Sequence, residues 1–322
     1  AAPAAAAGRM FLGPDGESLA LSAAAIGGRA VGVPGLLRLA KLTHLDHGRL
    51  PWSALFAPAI SLAEQGFPVS QTLHRTIEAY SFLRDRPATA TYFYRRDGRP
   101  IARGDRLRNP AYAATLQQVS VAGPSAFYSG AVAQRIVSAV RKDAENPGFM
   151  ALRDLDNYRA KRRLALCIPY RVWRICGAPP PASGGLEVLQ AMAILAHFDM
   201  SSLAEEESAA QHLIAEASRL AAADRAAFLA DPDFVEVPVQ QLMDPTYLQG
   251  RAALISPDRS LETPSAGIAS DSLAAMPPQA TESATTHLSV VDQWGNAVSV
   301  TASLGSAFGS HLMVDGFLLN ND

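Results

Sequence analysis

Residues 285–303 read TTHLSVVDQWGNAVSVTAS, two segments rich in β-branched residues on either side of Gln293-Trp294-Gly295. A three-residue loop that ends on a left-handed glycine is a common hairpin connection. Closing this loop pairs Asp292 with Asn296 and thereby sets the register of both strands. The sequence therefore predicts a β-hairpin whose pairing can be written down residue by residue.

This register separates apolar from polar side chains on the two faces of the hairpin. The apolar face carries the pairs Val290–Val298 and Leu288–Val300, and the polar face carries the pairs Ser289–Ser299, His287–Thr301 and Thr285–Ser303. A slip of one residue would mix the faces, so the sequence favours this pairing. We expect the apolar face, with Thr286, to face a core. We expect the hydroxyls of Thr285 and Ser303 to lie within hydrogen-bond distance.

The hydroxyls of the polar face can be interpreted either as part of a catalytic site or as ordinary side chains on a solvated strand face. Thr and Ser are frequent on solvated strand faces, and strand propensity explains Thr285 as well as catalysis does. For His287 the preferred role is a hydrogen bond to Thr301 across the hairpin rather than that of a general base.

Composition places the chain among globular proteins and excludes several functions. The chain has 322 residues, of which 48% are hydrophobic and 18% charged, and this excludes a disordered chain. Its net charge of -2 gives no basic surplus for neutralising phosphates, so nucleic-acid binding has no electrostatic support. The longest apolar stretch, Leu189 to Phe198, is about half the length of a membrane span, so no span is predicted.

Upstream of the hairpin the hydrophobic periodicity is mostly helical. Helices are predicted over residues 36–42, 52–65, 70–83, 112–119, 125–140, 186–197 and 209–229, and one strand over residues 166–176. Residues 255–284 are rich in Pro, Ser, Thr and Ala, which predicts an exposed linker. Asp224, Arg225 and Asp231 are expected to form ion pairs and a helix cap, and Trp173 and Trp294 to be packing residues.

The sequence predicts no metal and no cofactor. Cys167 and Cys176 flank the predicted strand; two buried structural thiols are the preferred interpretation, with a disulfide and a metal site as alternatives. His44 and His47 lie at a helix end with a spacing that can hold a metal, but no third ligand accompanies them. We therefore expect a solvated surface at these histidines.

Several motifs, in order along nearly the whole chain, resemble the γ-glutamyltranspeptidase family. The segment from Thr285 to Thr301 resembles the start of that family's small subunit, and Phe308-Gly309-Ser310 and Leu318-Leu319-Asn320-Asn321 resemble its next motifs. Upstream, residues 33–35, 63–67, 179–185 and 216–234 are similar to elements of its large subunit. Since the chain starts without Met and stops directly after a strand-like segment, we expect a piece of a longer protein.

The resemblance implies an α+β fold, the αββα sandwich of N-terminal nucleophile hydrolases, incomplete in this chain. It makes residues 1–254 the large-subunit portion, residues 255–284 the exposed linker or large-subunit tail, and residues 285–322 the start of the small subunit. It implies that the precursor cuts itself between Ala284 and Thr285, and that Thr285 then acts as the nucleophile. Ser303 takes the position of the family's second Thr, which hydrogen-bonds the nucleophile.

The reaction that the resemblance implies is acyl transfer. Thr285 would attack a γ-glutamyl amide such as glutathione, and the acyl group would pass to water or to an amine acceptor. The free α-amine of Thr285, which titrates at about 7.7–8.0, can accept the hydroxyl proton. The implied partners are this small-molecule substrate, its acceptor and the two subunits of one precursor. The implied location is periplasmic or secreted, and no cofactor is implied.

Two positions bear on substrate specificity. Gly305 stands where the family often has an Asn that contacts the substrate, and Asp322 where it has Gln or Glu near the substrate's α-ammonium. The family's carboxylate-binding Arg and its oxyanion hole would lie outside this chain, so the fragment is expected to be inactive by itself. Two alternatives stay open. One is a related acylase acting on glutaryl or cephalosporin-type amides, which Gly305 favours. The other is a non-catalytic homologue that stays uncut.

Overall fold

The computed structural model describes residues 1–13, 15–203, 207–268 and 285–321. These residues divide into two compact units. The first unit contains residues 1–161 together with residues 285–321, and the second contains residues 162–268. The β-hairpin of residues 285–303 therefore belongs to the same unit as the first half of the chain.

Helices make up most of both units. In the first unit they are α1 (Leu21–Ala24), α2 (Leu36–His47), α3 (Ala57–Gln65), α4 (Gln71–Ala79), α5 (Pro87–Phe93), α6 (Pro110–Ala122), α7 (Ser125–Tyr128), α8 (Gly130–Arg141) and α9 (Leu152–Asn157), with short 3-10 helices at Gly28–Ala30, Trp52–Phe56 and Ser81–Asp85. In the second unit they are α10 (Ser183–Leu195), α11 (Glu207–Phe228), α12 (Val239–Leu242) and α13 (Pro245–Ala252). No helix of the described residues is long and apolar enough to cross a membrane.

The strands of the described residues form four two-stranded antiparallel sheets. In chain order these are β1 (Phe67–Pro68) with β2 (Arg106–Leu107), β3 (Leu166–Tyr170) with β4 (Trp173–Gly177), β5 (Thr285–Val291) with β6 (Ala297–Ser303), and β7 (Met313–Val314) with β8 (Phe317–Leu318). The fold is thus mixed helix and sheet.

Two apolar clusters hold the first unit together, and both include residues that follow the hairpin. Leu312, Val314 and Leu319 are buried among side chains of α6, α7 and α8, including Ile136. Phe308 packs against a second cluster built around α4 and α5. Burying a large apolar side chain contributes about 1.5–3 kcal/mol. Residues 308–319 are therefore anchored by the helices of the first half of the chain.

The predicted helices are present, with three interruptions. The helix predicted over residues 70–83 ends at Ala79, and Ser81–Asp85 form a 3-10 helix. The helix predicted over residues 52–65 begins as a 3-10 helix and becomes α-helical at Ala57. The helix predicted over residues 125–140 divides at Gly130, whose φ of 72° breaks the helical hydrogen-bond pattern. α3 ends at Gly66 with a φ of 81°, as the sequence predicts.

The single strand predicted over residues 166–176 is wrong, because the chain reverses in the middle of it. β3 and β4 form a hairpin in which Arg171 occupies the turn with a φ of 54°. A non-glycine residue rarely adopts this left-handed conformation, so Arg171 itself gives no turn signal. Pro169, a residue that disfavours the interior of a strand, was the signal available nearby. The turn also leaves Trp173 at the surface, 67% exposed, against the expectation of a packing residue.

The prediction of two buried thiols is also wrong. Cys167 and Cys176 lie directly opposite each other in the β3–β4 hairpin and form a disulfide, with a Cα–Cα distance of 4.1 Å. Cys176 is exposed rather than buried. The reason is the reversal at Arg171, which brings the two ends of the predicted strand together.

In the second unit, the described start of the segment predicted as a linker is tied to α11 and α13. The contacts are Leu261 N–H to Glu216 Oε2 at 2.9 Å, Arg219 Nη2 to Glu262 O at 3.2 Å, Arg251 Nη2 to Ser265 O at 2.8 Å, and Gly267 N–H to Asp224 Oδ1 at 3.0 Å. Residues 269–284 lie outside the described residues. The expected ion pairs are present, with Asp224 bound to Arg251 and Arg225 to Glu187.

Candidate functional site

The β5–β6 hairpin has the predicted register. Thr285 pairs with Ser303, and the pairing continues without a slip to Val291 and Ala297. In the loop, the Asp292 N–H donates to Asn296 O at 3.0 Å and Gly295 has a φ of 83°. Hydrogen bonds to the Asp292 carboxylate, chiefly from the Asn296 side chain, lower its pKa. Alternating side chains and a left-handed glycine are thus sufficient to fix this register.

Two hydroxyls meet at the open end of the hairpin. Thr285 Oγ1 lies 3.2 Å from Ser303 Oγ, which is hydrogen-bond distance. Both residues are exposed. A potential nucleophile at the first position of a strand thus has a second hydroxyl beside it, as the sequence predicts.

The backbone after β6 holds Ser303 in place. The Gly305 N–H donates to Ser303 Oγ at 2.9 Å. Gly305 is buried and has a φ of 86°, a conformation in which a side chain is strained. The Ser303 oxygen thus accepts from both the Gly305 N–H and the Thr285 hydroxyl, and the Ser303 proton points towards Gly305 O at 3.5 Å.

The remaining polar face of the hairpin forms a ladder of hydrogen bonds. His287 Nδ1 lies 2.8 Å from Thr301 Oγ1, which confirms the expected cross-strand contact. Its other ring nitrogen lies 3.1 Å from Ser289 Oγ and 3.2 Å from Ser299 Oγ. Both ring nitrogens of His287 are therefore engaged by neutral hydroxyls, which supports a structural role.

The apolar face of the hairpin is not covered within the described residues. Val290 is 56% exposed and Val298 50%, and Thr286 is exposed as well. The expectation that this face lies on a core is therefore not met by the described part of the chain. Among the described strands, β5 and β6 pair only with each other, so no described strand extends this sheet. At the hairpin tip Trp294 is 69% exposed, so its expected packing role is wrong, although Arg49 lies over its ring at 5.7 Å.

Sequence reasoning assigned no role to Asn320 and Asn321, whose side chains fix the chain behind the hairpin. Asn320 accepts from the Gly32 N–H at 2.8 Å and donates to Gly32 O at 3.0 Å. Asn321 donates to Ala25 O at 2.9 Å and accepts from the Ser306 N–H at 2.8 Å. The partners Gly32 and Ala25 are 288 and 296 residues away, so no local pattern could predict these contacts. The pair of asparagines after an apolar segment was the signal that the sequence offered.

Two of the predicted site residues cannot be placed. Ala284, on the other side of the expected cleavage point, and Asp322, expected near the substrate, both lie outside the described residues. The described ranges contain no group of three or more His, Cys, Asp or Glu side chains that could hold a metal ion.

His311 is a second residue that the sequence did not single out. It is 3% exposed, and its ring stacks on Phe82 with a centroid distance of 4.7 Å. Burial, reinforced by the positive charge of Arg86, lowers the pKa of His311 to about 4. The imidazole is therefore neutral in the folded protein at pH values where an unfolded chain binds a proton.

This burial predicts acid sensitivity. The unfolded histidine titrates near pH 6.5 and the folded one only near 4, so the unfolded state binds more protons between these values. Stability must therefore fall as the pH falls from 6.5 to 4, by about 3 kcal/mol from this group. Urea unfolding of the wild type and His311→Asn at pH 4.5 and 7 measures this difference. An equal loss of stability in both proteins would contradict the assignment.

Comparison with known proteins identifies related chains. The family model described as Gamma-glutamyltranspeptidase matches residues 1–322. The glutathione hydrolase proenzyme of Bacillus subtilis (strain 168) is 34% identical over 331 residues, which cover 100% of this chain and 56% of the relative. The Acylase ACY 1 proenzyme of Pseudomonas sp. (strain SE83) is 37% identical over 294 residues, covering 90% of this chain and 50% of the relative. The chain thus spans about half the length of the curated relatives it matches.

Among solved structures, γ-glutamyltranspeptidases and an acylase are likewise similar to this chain. The γ-glutamyltranspeptidase of Helicobacter pylori superposes with a TM-score of 0.77 at 31% identity, covering 81% of this chain and 74% of that chain. The cephalosporin acylase of Bacillus halodurans superposes with a TM-score of 0.77 at 27% identity, covering 92% and 53%.

Proposed function

Because this chain belongs to the gamma-glutamyltranspeptidase family, we propose that its protein is a self-processing γ-glutamyltransferase and glutathione hydrolase. The observation that carries the proposal is the 3.2 Å contact between Thr285 Oγ1 and Ser303 Oγ at the start of the nucleophile strand. The relatives from Bacillus subtilis and Pseudomonas are named proenzymes, which supports processing.

Processing follows from the position of Thr285 at the start of β5. Its hydroxyl attacks the carbonyl carbon of Ala284, the Ala284–Thr285 amide bond breaks, and the freed nitrogen becomes the α-amine of Thr285. Water then opens the resulting ester, which restores the Thr285 hydroxyl and leaves a carboxylate on Ala284. Residues 1–284 become the large-subunit portion, with 255–284 as its tail, and residues from 285 onwards start the small subunit.

The mature reaction uses the same hydroxyl. The α-amine of Thr285, neutral in an appreciable fraction near pH 8, accepts the hydroxyl proton as Oγ1 attacks the γ-glutamyl carbonyl. Before the reaction Ser303 Oγ accepts from the Thr285 hydroxyl, and Gly305 N–H holds Ser303 in place. Once the Thr285 proton has passed to the α-amine, the Ser303 hydroxyl turns its own proton to Oγ1 as charge develops there. The amine product leaves, and water or an acceptor amine takes the acyl group.

Fold and location complete the proposal. The fold is the αββα sandwich of N-terminal nucleophile hydrolases, of which this chain supplies part. The protein works in the periplasm or outside the cell, and the Cys167–Cys176 disulfide supports this because disulfides persist in oxidising compartments.

A related amide acylase is the second candidate. Gly305 offers no side chain where the family often has Asn, and an acylase proenzyme is among the relatives. The two candidates differ in the charge they require on the acyl group. A γ-glutamyl group carries an α-ammonium that the carboxylate of Asp322 would bind, whereas a glutaryl group lacks it.

Hydrolysis of γ-glutamyl and glutaryl anilides by the full-length, processed protein separates these candidates. A charge-assisted hydrogen bond contributes about 1.5–3 kcal/mol, so we expect kcat/KM to favour the γ-glutamyl substrate about ten- to a hundredfold. Asp322→Asn is expected to reduce this preference. A preference for the glutaryl substrate would select the acylase, and an uncut protein without turnover would select a non-catalytic homologue.

A further inference from the structure

The turn after β6 is held from both sides by one side chain. Asn321 Oδ1 accepts from the Ser306 N–H at 2.8 Å, and Asn321 Nδ2 donates to Ser306 Oγ at 2.7 Å. The backbone N–H of Asn321 donates to Leu304 O at 2.9 Å. Leu304 and Ser306 are the two neighbours of Gly305. Leu304 O shares one peptide group with the Gly305 N–H, and the Ser306 N–H belongs to the next peptide group. Asn321 therefore holds both peptide groups that flank Gly305.

The Gly305 peptide group in turn sets the position of the hydroxyl beside the nucleophile. Its N–H lies 2.9 Å from Ser303 Oγ, and Ser303 Oγ lies 3.2 Å from Thr285 Oγ1. The Asn321 amide is thus linked to Thr285 by hydrogen bonds at Ser306, Ser303 and Thr285, which are joined through the covalent backbone of residues 305–306. Because each contact joins groups close in space, a shift at Asn321 is passed to Ser303.

The Asn321 side-chain amide also binds a residue that precedes the expected cleavage point in the chain. Asn321 Nδ2 donates to Ala25 O at 2.9 Å, so one side chain joins residues before and after Thr285. This pattern needs an oxygen that accepts one backbone N–H and an NH₂ group that donates twice. Asparagine supplies both, whereas aspartate cannot donate and leucine does neither.

From these contacts we propose that Asn321 is a positioning residue for the Thr285 nucleophile, acting through the 304–306 turn and Ser303. The inference rests on the proposed function and adds to it a residue outside the reacting groups. Its effect falls on self-cleavage and on acyl transfer alike, since Thr285 Oγ1 performs both. Substrate affinity is affected little, because Asn321 acts on the reacting hydroxyls.

The test compares Asn321→Ala with Ser303→Ala and the double variant in the full-length protein. Misplacing a reacting group by about 1 Å costs up to about a hundredfold, so Asn321→Ala is expected to lower the self-cleavage rate and kcat about ten- to a hundredfold. KM should change less than about threefold. In the Ser303→Ala background, the further loss from Asn321→Ala should be under about threefold, because residues that act through one contact are not additive.

Two further variants separate positioning from folding. Asn321→Asp keeps an acceptor for the Ser306 N–H but loses both donated hydrogen bonds. It should lower the self-cleavage rate about as much as Asn321→Ala, and it replaces that variant in the test if the alanine protein does not fold. Asn320→Ala is the matched control. Asn320 precedes Asn321 in the chain, and the substitution removes the two hydrogen bonds between its side chain and Gly32. It should lower the melting temperature comparably while cleavage stays within about threefold of wild type.

The outcomes separate the inference from the proposed function. Losses that multiply in the double variant, or an equal loss of cleavage in Asn320→Ala, would overturn the role of Asn321 and leave the proposed function standing. A wild-type protein that neither cuts itself nor turns over an anilide would overturn both.

Discussion

Thr285→Ala is expected to leave the full-length protein as one uncut polypeptide and to remove its acyl-transfer activity. The substitution deletes the Oγ1 atom that contacts Ser303 Oγ at 3.2 Å, and no other atom of residue 285 can form the ester. Removal of a nucleophile in a comparable acyl-transfer enzyme lowers turnover by about 10⁶-fold, so we expect no measurable activity. Intact mass after incubation near pH 8 gives two fragments meeting at Ala284–Thr285 for the wild type and one mass for the variant.

Two neighbouring variants make the result specific. Thr286→Ala removes a hydroxyl at the next position, where residue 286 pairs with Ala302, and cleavage should stay within about tenfold of wild type. Thr285→Ser keeps a hydroxyl and should still be cut, though more slowly, because the methyl group that restricts the side-chain rotamer is lost. Cleavage at the same bond in Thr285→Ala would show that another group carries the reaction.

Asp224→Ala is expected to have the largest effect on stability. Asp224 is 1% exposed, and its carboxylate binds four groups: Arg251 at 3.3 Å, the Tyr247 hydroxyl at 2.6 Å, Gln190 Nε2 at 3.1 Å and the Gly267 N–H at 3.0 Å. Burial, reinforced by the contact with this carboxylate, raises the pKa of Tyr247. Removing the Asp224 carboxylate leaves the buried charge of Arg251 without this counter-ion, which lowers the free energy of unfolding by about 3–5 kcal/mol.

Amide hydrogen exchange along α11 of the full-length protein measures this effect. The opening free energy of α11 should fall by about 3–5 kcal/mol in Asp224→Ala, and exchange should also accelerate at Gly267. Glu187→Gln is the control, because it weakens the more exposed Arg225–Glu187 pair, where about 0–1 kcal/mol is expected. Equal effects of both substitutions would show that burial of Asp224 does not set its contribution.

The same network bears on the segment that leads towards the cleavage point. Asp224 and Glu216 accept the N–H groups of Gly267 and Leu261. Within 255–268, composition indicates an exposed linker, but these two carboxylates on α11 bind its backbone. Composition could not reveal this, because the partners are 43 and 45 residues apart.

The hairpin, its register and the contact between Thr285 and Ser303 could all be predicted from the amino-acid sequence. These depend on local rules: side chains alternate with a period of two, and a glycine at the third loop position closes the strands. Most helix positions follow from local periodicity for the same reason. Family membership was also visible from motif order, and the family model matches the whole chain.

Four features could not be predicted from the sequence and depend on the folded chain: the turn at Arg171, the Cys167–Cys176 disulfide, the burial of His311 and the contacts of Asn321. The two turn residues, Arg171 and Val172, are not among the residues typical of turns, and the disulfide forms because of this turn. The His311 ring stacks on Phe82, and the Asn321 amide binds Ala25 O besides its contacts with Ser306; Phe82 and Ala25 are each more than 200 positions away. Such contacts arise because helices from the first half of the chain bury residues 308–319, and no local pattern records which segments meet.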